Sequence, residues 1–170
     1  MALAQGFVQI DKSKHDLKSF KCGKQVMDEF LVRHAIQHRK LGISSTWILS
    51  ENTQSQIESV AAYFTLCSIS ASNEELPLKK SHPKYPLPLV LLARLAVSEN
   101  YQKKRLGEKT LVSAIRQAVS LTSVGLPAIG IALDVLDQDA LAFYNKFDMF
   151  EEFTDNPMRL FVPMNVAKDI

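Results

Sequence analysis

Six residues in the middle of the chain, Gln102-Lys103-Lys104-Arg105-Leu106-Gly107, have the make-up of a phosphate-binding turn. They lie between an apolar run, Leu89–Val97, and a stretch with apolar residues at helical spacing, so a strand hands over to a helix there. A helix start presents backbone N–H groups without intrahelical partners and the positive end of the dipole, which suits a phosphorylated ligand. Lys103, Lys104, Arg105 and Lys109 add positive charge at the same place. Taken alone, the segment reads equally well as a basic helix start on the surface. Tyr144, in the run DQDALAFYNKFDMF, is a second candidate. A phenol with a pKa near ~10 keeps its proton at neutral pH and can donate it to a leaving group. Taken alone, it reads as a packing residue beside Phe143 and Phe147. Glu58, His34, His38 and His82 can titrate, but their spacing nominates none of them as a general base. Cys22 and Cys67 are isolated and have no metal-ligand spacing, so no metal is expected.

The elements that must hold these residues follow from periodicity. Val26, Met27, Phe30, Leu31 and Ala35 recur at helical spacing and predict an amphipathic helix over 24–40, with Gly42 as its stop. Ile43–Ser50 and Val60–Ser70 are rich in β-branched and aromatic residues and predict a hairpin around a polar loop. Pro77–Pro88 carries four prolines and predicts an extended, basic loop. Leu89–Val97 is apolar nearly throughout, as a strand buried on both faces of a mixed sheet would be. A helix from Leu111 to Val119, a strand at Ala128–Leu136, a short helix at Asp137–Phe147 and a last strand at Leu160–Met164 complete an α/β pattern with a right-handed crossover.

The bulk composition limits the function classes. At 170 residues the chain is expected to form one domain, 1–170, able to bury a core without disulfides or metals. No run of about 18 apolar residues exists, and the N-terminus lacks a signal pattern, so a cytoplasmic protein is expected. The net charge of +2 is too small to announce a nucleic-acid binder. Its distribution is uneven, with eight Lys/Arg against four Asp/Glu in residues 1–50 and four against eight in residues 111–170.

Gln102–Gly107 resembles the acetyl-coenzyme A signature of the GNAT superfamily, in which Gln or Arg begins a six-residue turn ending in Gly or Ala. Arg105 stands where that pattern usually has glycine. Asp137–Phe150 resembles the family's late helix through Asp137, Ala140, Phe143, Tyr144, Lys146 and Phe147, with Asp148 in place of a glycine. Phe20-Lys21-Cys22-Gly23, Met27–Leu31, Leu91–Val97 and Leu160–Pro163 resemble, in order, segments of the GNAT toxins of bacterial type II toxin–antitoxin systems. The resemblance implies a GNAT fold, with a central mixed, mostly antiparallel sheet of six to seven strands flanked by about four helices. It implies acetyl-CoA as cosubstrate, held at Leu95, Ala96, Val97, Gln102, Lys103, Lys104, Arg105, Leu106, Gly107, Glu108, Asp137 and Phe143. The Val97 N–H would polarise the thioester carbonyl, and Tyr144 would protonate the departing thiolate.

The absence of a nominated base fits a particular acceptor. An α-amine titrates near ~8, and esterification of the carboxyl lowers that further, whereas a lysine at ~10.4 needs more help. An aminoacyl ester, as on charged tRNA, presents free amine unaided. The toxin-like resemblance implies that acceptor, with Arg33, Arg39, Lys79, Lys80 and Lys84 as contacts to phosphates and Arg94 as a site-facing charge or a buried paired one. It also implies a ribbon-helix-helix antitoxin and a homodimer as partners. Two alternatives stay open on the sequence: a GNAT enzyme acting on a small or protein amine, and a non-catalytic CoA-binding module.

Overall fold

The computed structural model describes residues 2–170. The chain divides into two compact units, Met1–Cys67 with Arg94–Ala114, and Ser68–Ala93 with Ile115–Ile170. The division passes through long elements, so several of them contribute to both units.

The first unit opens with the two-residue strands β1 (Val8–Gln9) and β2 (His15–Asp16), too short to give a periodic signal. Two helices follow, α1 (Gln25–Arg33) and α2 (Ala35–Lys40), where the sequence predicts one. The backbone turns at His34 (φ −122°, ψ −31°), where His34 N–H closes α1 by donating to Phe30 O and His34 O opens α2 by accepting from His38 N–H, so the helix is broken and redirected at this residue. Beyond the break, Arg39 reaches the carbonyl of Ile10 at 3.1 Å and the side chain of Gln9, which ties α2 to the β1 segment. Gly42 ends α2 as predicted. It takes φ +74°, and Gly42 N–H and Ile43 N–H donate to Arg39 O and His38 O, the paired bonds of a Schellman cap.

The predicted hairpin is β3 (Ser45–Ser50) and β4 (Glu58–Ala71), antiparallel, with a register shift after Leu49. Opposite that shift Ala61 is unpaired in the ladder, and its carbonyl accepts the Ser98 N–H at 2.8 Å. Within this unit the strands run β1-β3-β4 and then the end of β5 (Leu87–Val97), while β2 pairs β4 in parallel. One apolar cluster gathers Phe20, Met27, Phe30, Leu31, Ile48, Tyr63 and Ala96, with the Tyr63 hydroxyl donating to Met27 O at 2.7 Å. A second gathers Leu49, Ala61, Ala62, Val97 and Leu106, with Leu3, Phe7 and Tyr101 packed on it.

In the second unit β5 is parallel to β6 (Gly130–Asp134), with Leu89–Leu92 in register with Gly130–Leu133. Helix α3 (Leu106–Ser123) makes the crossover, five residues longer at its start than the apolar spacing shows because its first turn is polar and basic. β8 (Asn156–Pro163) pairs β6 on one side and β7 (Glu151–Phe153) on the other, both antiparallel. β7 is absent from the sequence-based expectation, and β8 begins earlier than expected, at Asn156, because the polar residues there lack alternation. α4 (Gln138–Tyr144) and α5 (Met164–Ala167) are short. The expectation of an extended loop over 77–88 holds up to Pro86, after which β5 begins. β5 is less uniformly covered than predicted, since Pro88 is exposed and Ala93, Arg94 and Leu95 are half-buried.

The described residues thus form mixed, mostly antiparallel strands flanked by helices, in the order β1-β3-β4-β5-β6-β8-β7. β2, outside that path, is an eighth strand beyond the six to seven expected.

Gly130 sits on β6 in close contact with β8. A methyl group there would lie 2.5 Å from the Val162 carbonyl oxygen and closer still to the Phe161 ring. Forcing extra atoms into such a contact typically costs about 1–3 kcal/mol. Gly130→Ala is therefore expected to lower the thermal midpoint by several degrees, measured by circular dichroism; an unchanged midpoint would contradict the close approach.

Candidate functional site

The signature turn belongs to the first unit. β5 ends at Val97, a 3-10 turn follows at Glu99–Tyr101, and residues 102–105 lead into α3. The Gln102 side chain is anchored inward. Its Nε2 donates to Cys22 O at 2.7 Å and to Val97 O at 2.9 Å, so the amide braces the strand end to the segment before α1 and is not turned toward a ligand. Cys22 is fixed at the same junction, since its N–H donates to the buried Asp28 carboxylate at 2.9 Å. Burial pushes the Cys22 thiol up to about 12, with the Asp28 carboxylate adding to the effect.

Lys103 and Arg105 take φ values of 59° and 62°, and they are the only non-glycine residues at positive φ among those described. The left-handed conformation costs an L-residue roughly 1–2 kcal/mol. Alternating conformations of this kind form backbone nests that turn N–H groups toward an anion. Arg105, the departure from the family's glycine, therefore adopts the conformation that glycine would favour. Its guanidinium is turned away to Glu108 (3.0 Å) and is 82% exposed. Lys104 donates to Asn100 O at 3.2 Å and lies over the Tyr101 ring. A cleft of about 350 Å³ beside the turn is lined by Leu3, Asn100, Tyr101, Lys104, Leu106 and Lys109. Val97 and Leu106 are buried in one cluster, Leu95 is half-buried, and Ala96 belongs to the cluster of Phe30 and Tyr63. Gly107 and Glu108 lie in the first turn of α3.

The second unit holds Asp137, Phe143 and Tyr144. The Asp137 carboxylate accepts the Ala140 N–H at 2.9 Å and caps α4, a local reason for the helix to start there. Tyr144, 5% exposed, closes that helix among rings, with centroids 5.2 Å from Phe143 and 6.2 Å from Phe150. Burial and the Asp134 carboxylate hold its phenol above the usual range, so it stays protonated. Asp134 itself pairs with Arg159 at 2.7 Å. Asp148, where the family has glycine, does not take a positive φ, so the chain leaves α4 without a left-handed residue there.

The basic residues named from the sequence fare differently. Arg33 is exposed at the end of α1. Arg39 is spent on Ile10 and Gln9, a structural use that sequence spacing could not reveal. Lys80 and Lys84 are exposed, and Lys79 meets Glu151 at 3.4 Å across water-exposed surface, a contact of small energy. Arg94 stacks its guanidinium 3.8 Å from the centre of the Phe30 ring, which the sequence does not foresee because the two lie far apart in the chain. His15 is a buried histidine whose Nδ1 accepts the Asp11 N–H, a structural use. Among the described residues no three His, Cys, Asp or Glu side chains gather as a metal site requires.

The turn's strained backbone generates a prediction. Arg105→Gly is expected to bind acetyl-CoA within about threefold of the wild type, since φ is met without a Cβ. Arg105→Val, β-branched in a left-handed position, is expected to bind roughly tenfold more weakly. Calorimetric titration measures both; equal affinities would remove the backbone conformation as the determinant.

No family model matches the chain. A tRNA-acetylating toxin of Mycobacterium tuberculosis (strain ATCC 25618 / H37Rv) is 31% identical over 156 residues, which cover 90% of this chain and 89% of that protein. Among solved structures, AtaT complexed with acetyl-methionyl-tRNAfMet superposes with a TM-score of 0.84 at 26% identity, over 98% of this chain and 97% of that one. AtaTR bound with acetyl-CoA gives a TM-score of 0.82 at 26% identity, over 98% and 96%. With the Gln102–Gly107 turn and helix α4 in place, this extent of likeness means that the chain belongs to the tRNA-acetylating toxins of the GNAT superfamily of N-acetyltransferases.

Proposed function

We propose that this chain transfers the acetyl group of acetyl-CoA to the α-amine of an aminoacyl-tRNA and so blocks translation. The observation that carries the reading is the left-handed pair Lys103 and Arg105 at the start of α3. Strain of that kind persists where function requires it, and here it shapes backbone N–H groups for a pyrophosphate. The coenzyme's pyrophosphate would sit on residues 103–108. Its pantetheine arm would run along the backbone of Leu95, Ala96 and Val97; Asp137, which holds the start of α4, and Phe143 are the further residues proposed to bind the coenzyme.

In the reaction the acceptor amine attacks the thioester carbonyl, whose developing oxyanion receives the Val97 N–H. A fixed donor of this type contributes about 10²–10³ in rate. As the tetrahedral intermediate collapses, the C–S bond breaks, Tyr144 gives its phenolic proton to the sulfur, and the proton shed by the acylated nitrogen returns through solvent to restore the phenol. An amine esterified through its own carboxyl is largely neutral near pH 8, so the step needs no dedicated base. Arg33, Lys80 and Lys84, all exposed, are the proposed contacts to tRNA phosphates, with Lys79 once its weak pairing to Glu151 yields. Arg39 is expected to act on tRNA only indirectly, by holding α2. We further infer a cytoplasmic protein of one catalytic domain over 1–170, paired as a homodimer and neutralised by a ribbon-helix-helix antitoxin. Helices in the described residues are too short or too polar to cross a membrane.

The test is transfer of label from acetyl-CoA to total charged tRNA, with deacylated tRNA and free amino acids as controls. Label is expected on charged tRNA only; label on free amines, or on neither, overturns the reading. Tyr144→Phe is expected to keep acetyl-CoA affinity and to lower turnover at least about tenfold. Its ring fits the same aromatic surroundings, so stability is retained. Expression of the wild type is expected to arrest bacterial growth, and expression of the Phe variant is not; a harmless wild type made at good levels counts against the toxin role.

A further inference from the structure

Arg94 occupies an unusual position. It is half-buried on β5, yet its guanidinium meets no carboxylate and no carbonyl among the described residues; its partner is the face of Phe30, 3.8 Å away. A half-buried charge held only by a ring lacks the hydrogen bonds that normally offset its partial desolvation. Stacking has a geometric consequence. The flat face is covered, while the N–H donors lie in the guanidinium plane and point outward. Phe30 is itself 2% exposed, with the Tyr63 ring near-parallel to it at 6.4 Å between centroids, so the ring that carries the guanidinium is packed in the core.

Two more donors stand around the same ring. Phe30, His34 and His38 are spaced four residues apart, which aligns them along one face of α1 and α2. The ring centroids of His34 and His38 lie 6.3 Å and 5.4 Å from Phe30 and 5.9 Å from each other. His34 is exposed and His38 half-buried. His38 Nδ1 is 3.3 Å from the Ser44 hydroxyl, which leaves Nε2 for another partner. Of the two acids on α1, Asp28 is buried and accepts the Cys22 N–H, and Glu29 accepts the Gln25 side-chain amide.

We propose that Arg94, His34 and His38 form a binding site for a backbone phosphate of the single-stranded acceptor end of the RNA substrate. This rests on the function proposed above and deepens it. Coenzyme phosphate is disfavoured as the occupant by strand alternation. Arg94 shares its face with Ala96 in the Phe30–Tyr63 cluster, whereas Val97 clusters with Leu106 at the start of α3, on the other face. Arg94 is three residues before Val97, about 10 Å along a strand. One nucleotide spans a comparable length, so a long side chain rooted there can meet the 5′-phosphate of the nucleotide whose esterified amine is at the thioester. The site would thus hold the acceptor at its first phosphate while the amine reaches the thioester.

The test compares two acceptors carrying the same amino acid: charged tRNA, and a methyl ester that has no phosphate. Arg94→Gln is expected to lower kcat/KM at least tenfold more for charged tRNA than for the ester, and His34→Gln/His38→Gln about threefold more. The slope of log KM against log salt for charged tRNA should become shallower by about 0.7, the value for one phosphate no longer neutralised. Arg94→Lys, which keeps the charge without the planar fork, should restore the salt slope but not the full kcat/KM. Equal losses on both acceptors, or an unchanged slope, overturn the proposal, as these would mark Arg94 as structural. Binding of a fluorescent RNA oligonucleotide ending in CCA gives a readout independent of turnover. Weakening of tenfold or more by Arg94→Gln supports the site, and equal affinity or no binding by the wild type overturns it. If the wild type binds the oligonucleotide through Arg94 but acetylates no charged tRNA, the proposed function fails and this site stands.

Discussion

The two hydrogen bonds of the Gln102 amide are the constraint on which the rest of the first unit hangs. One goes to the carbonyl that ends β5 and the other to Cys22 just before α1. A single side chain thereby fixes the exit of the strand, the entry to the helix pair and the first residue of the turn before α3. Neighbouring bonds make the junction redundant: Glu99 N–H donates to Lys21 O, and Ser98 N–H to the unpaired carbonyl of Ala61. A turn that must hold two residues in a disfavoured conformation needs ends that cannot relax. Here both flanks are pinned, by Gln102 before it and by the first turn of α3 after it.

Much of this is legible in the sequence for identifiable physical reasons. Gly42 can be assigned as a helix stop because only a residue tolerant of positive φ closes a Schellman cap cheaply, and the structure has that cap. The β3–β4 hairpin and β5 can be placed because β-branched runs bounded by polar or proline-rich segments leave few other arrangements. The start of α3 escapes the same reading since its first turn is charged and carries no apolar period. β1, β2 and β7 span two or three residues, fewer than any periodicity needs.

The candidate site divides in the same way. Signature residues are readable as a local pattern, and the turn and the cap of α4 are local structures. What spacing cannot deliver is partners distant in sequence: Gln102 with Cys22, Arg39 with Ile10, Arg94 with Phe30. Arg105 is an instructive case. Judged as a residue type it should disturb the loop, yet its backbone supplies the required φ and its side chain is drawn off by Glu108. Residue identity constrains conformation by energy, and a cost of about one or two kcal/mol is within what pinned flanks can hold.

Cys22 has a consequence in redox terms. Thiol oxidation and alkylation proceed through the thiolate. Burial and the neighbouring Asp28 carboxylate hold the Cys22 thiol in its protonated form at neutral pH. The junction between β5 and α3 therefore contains a sulfur in the form that oxidants and electrophiles attack slowly.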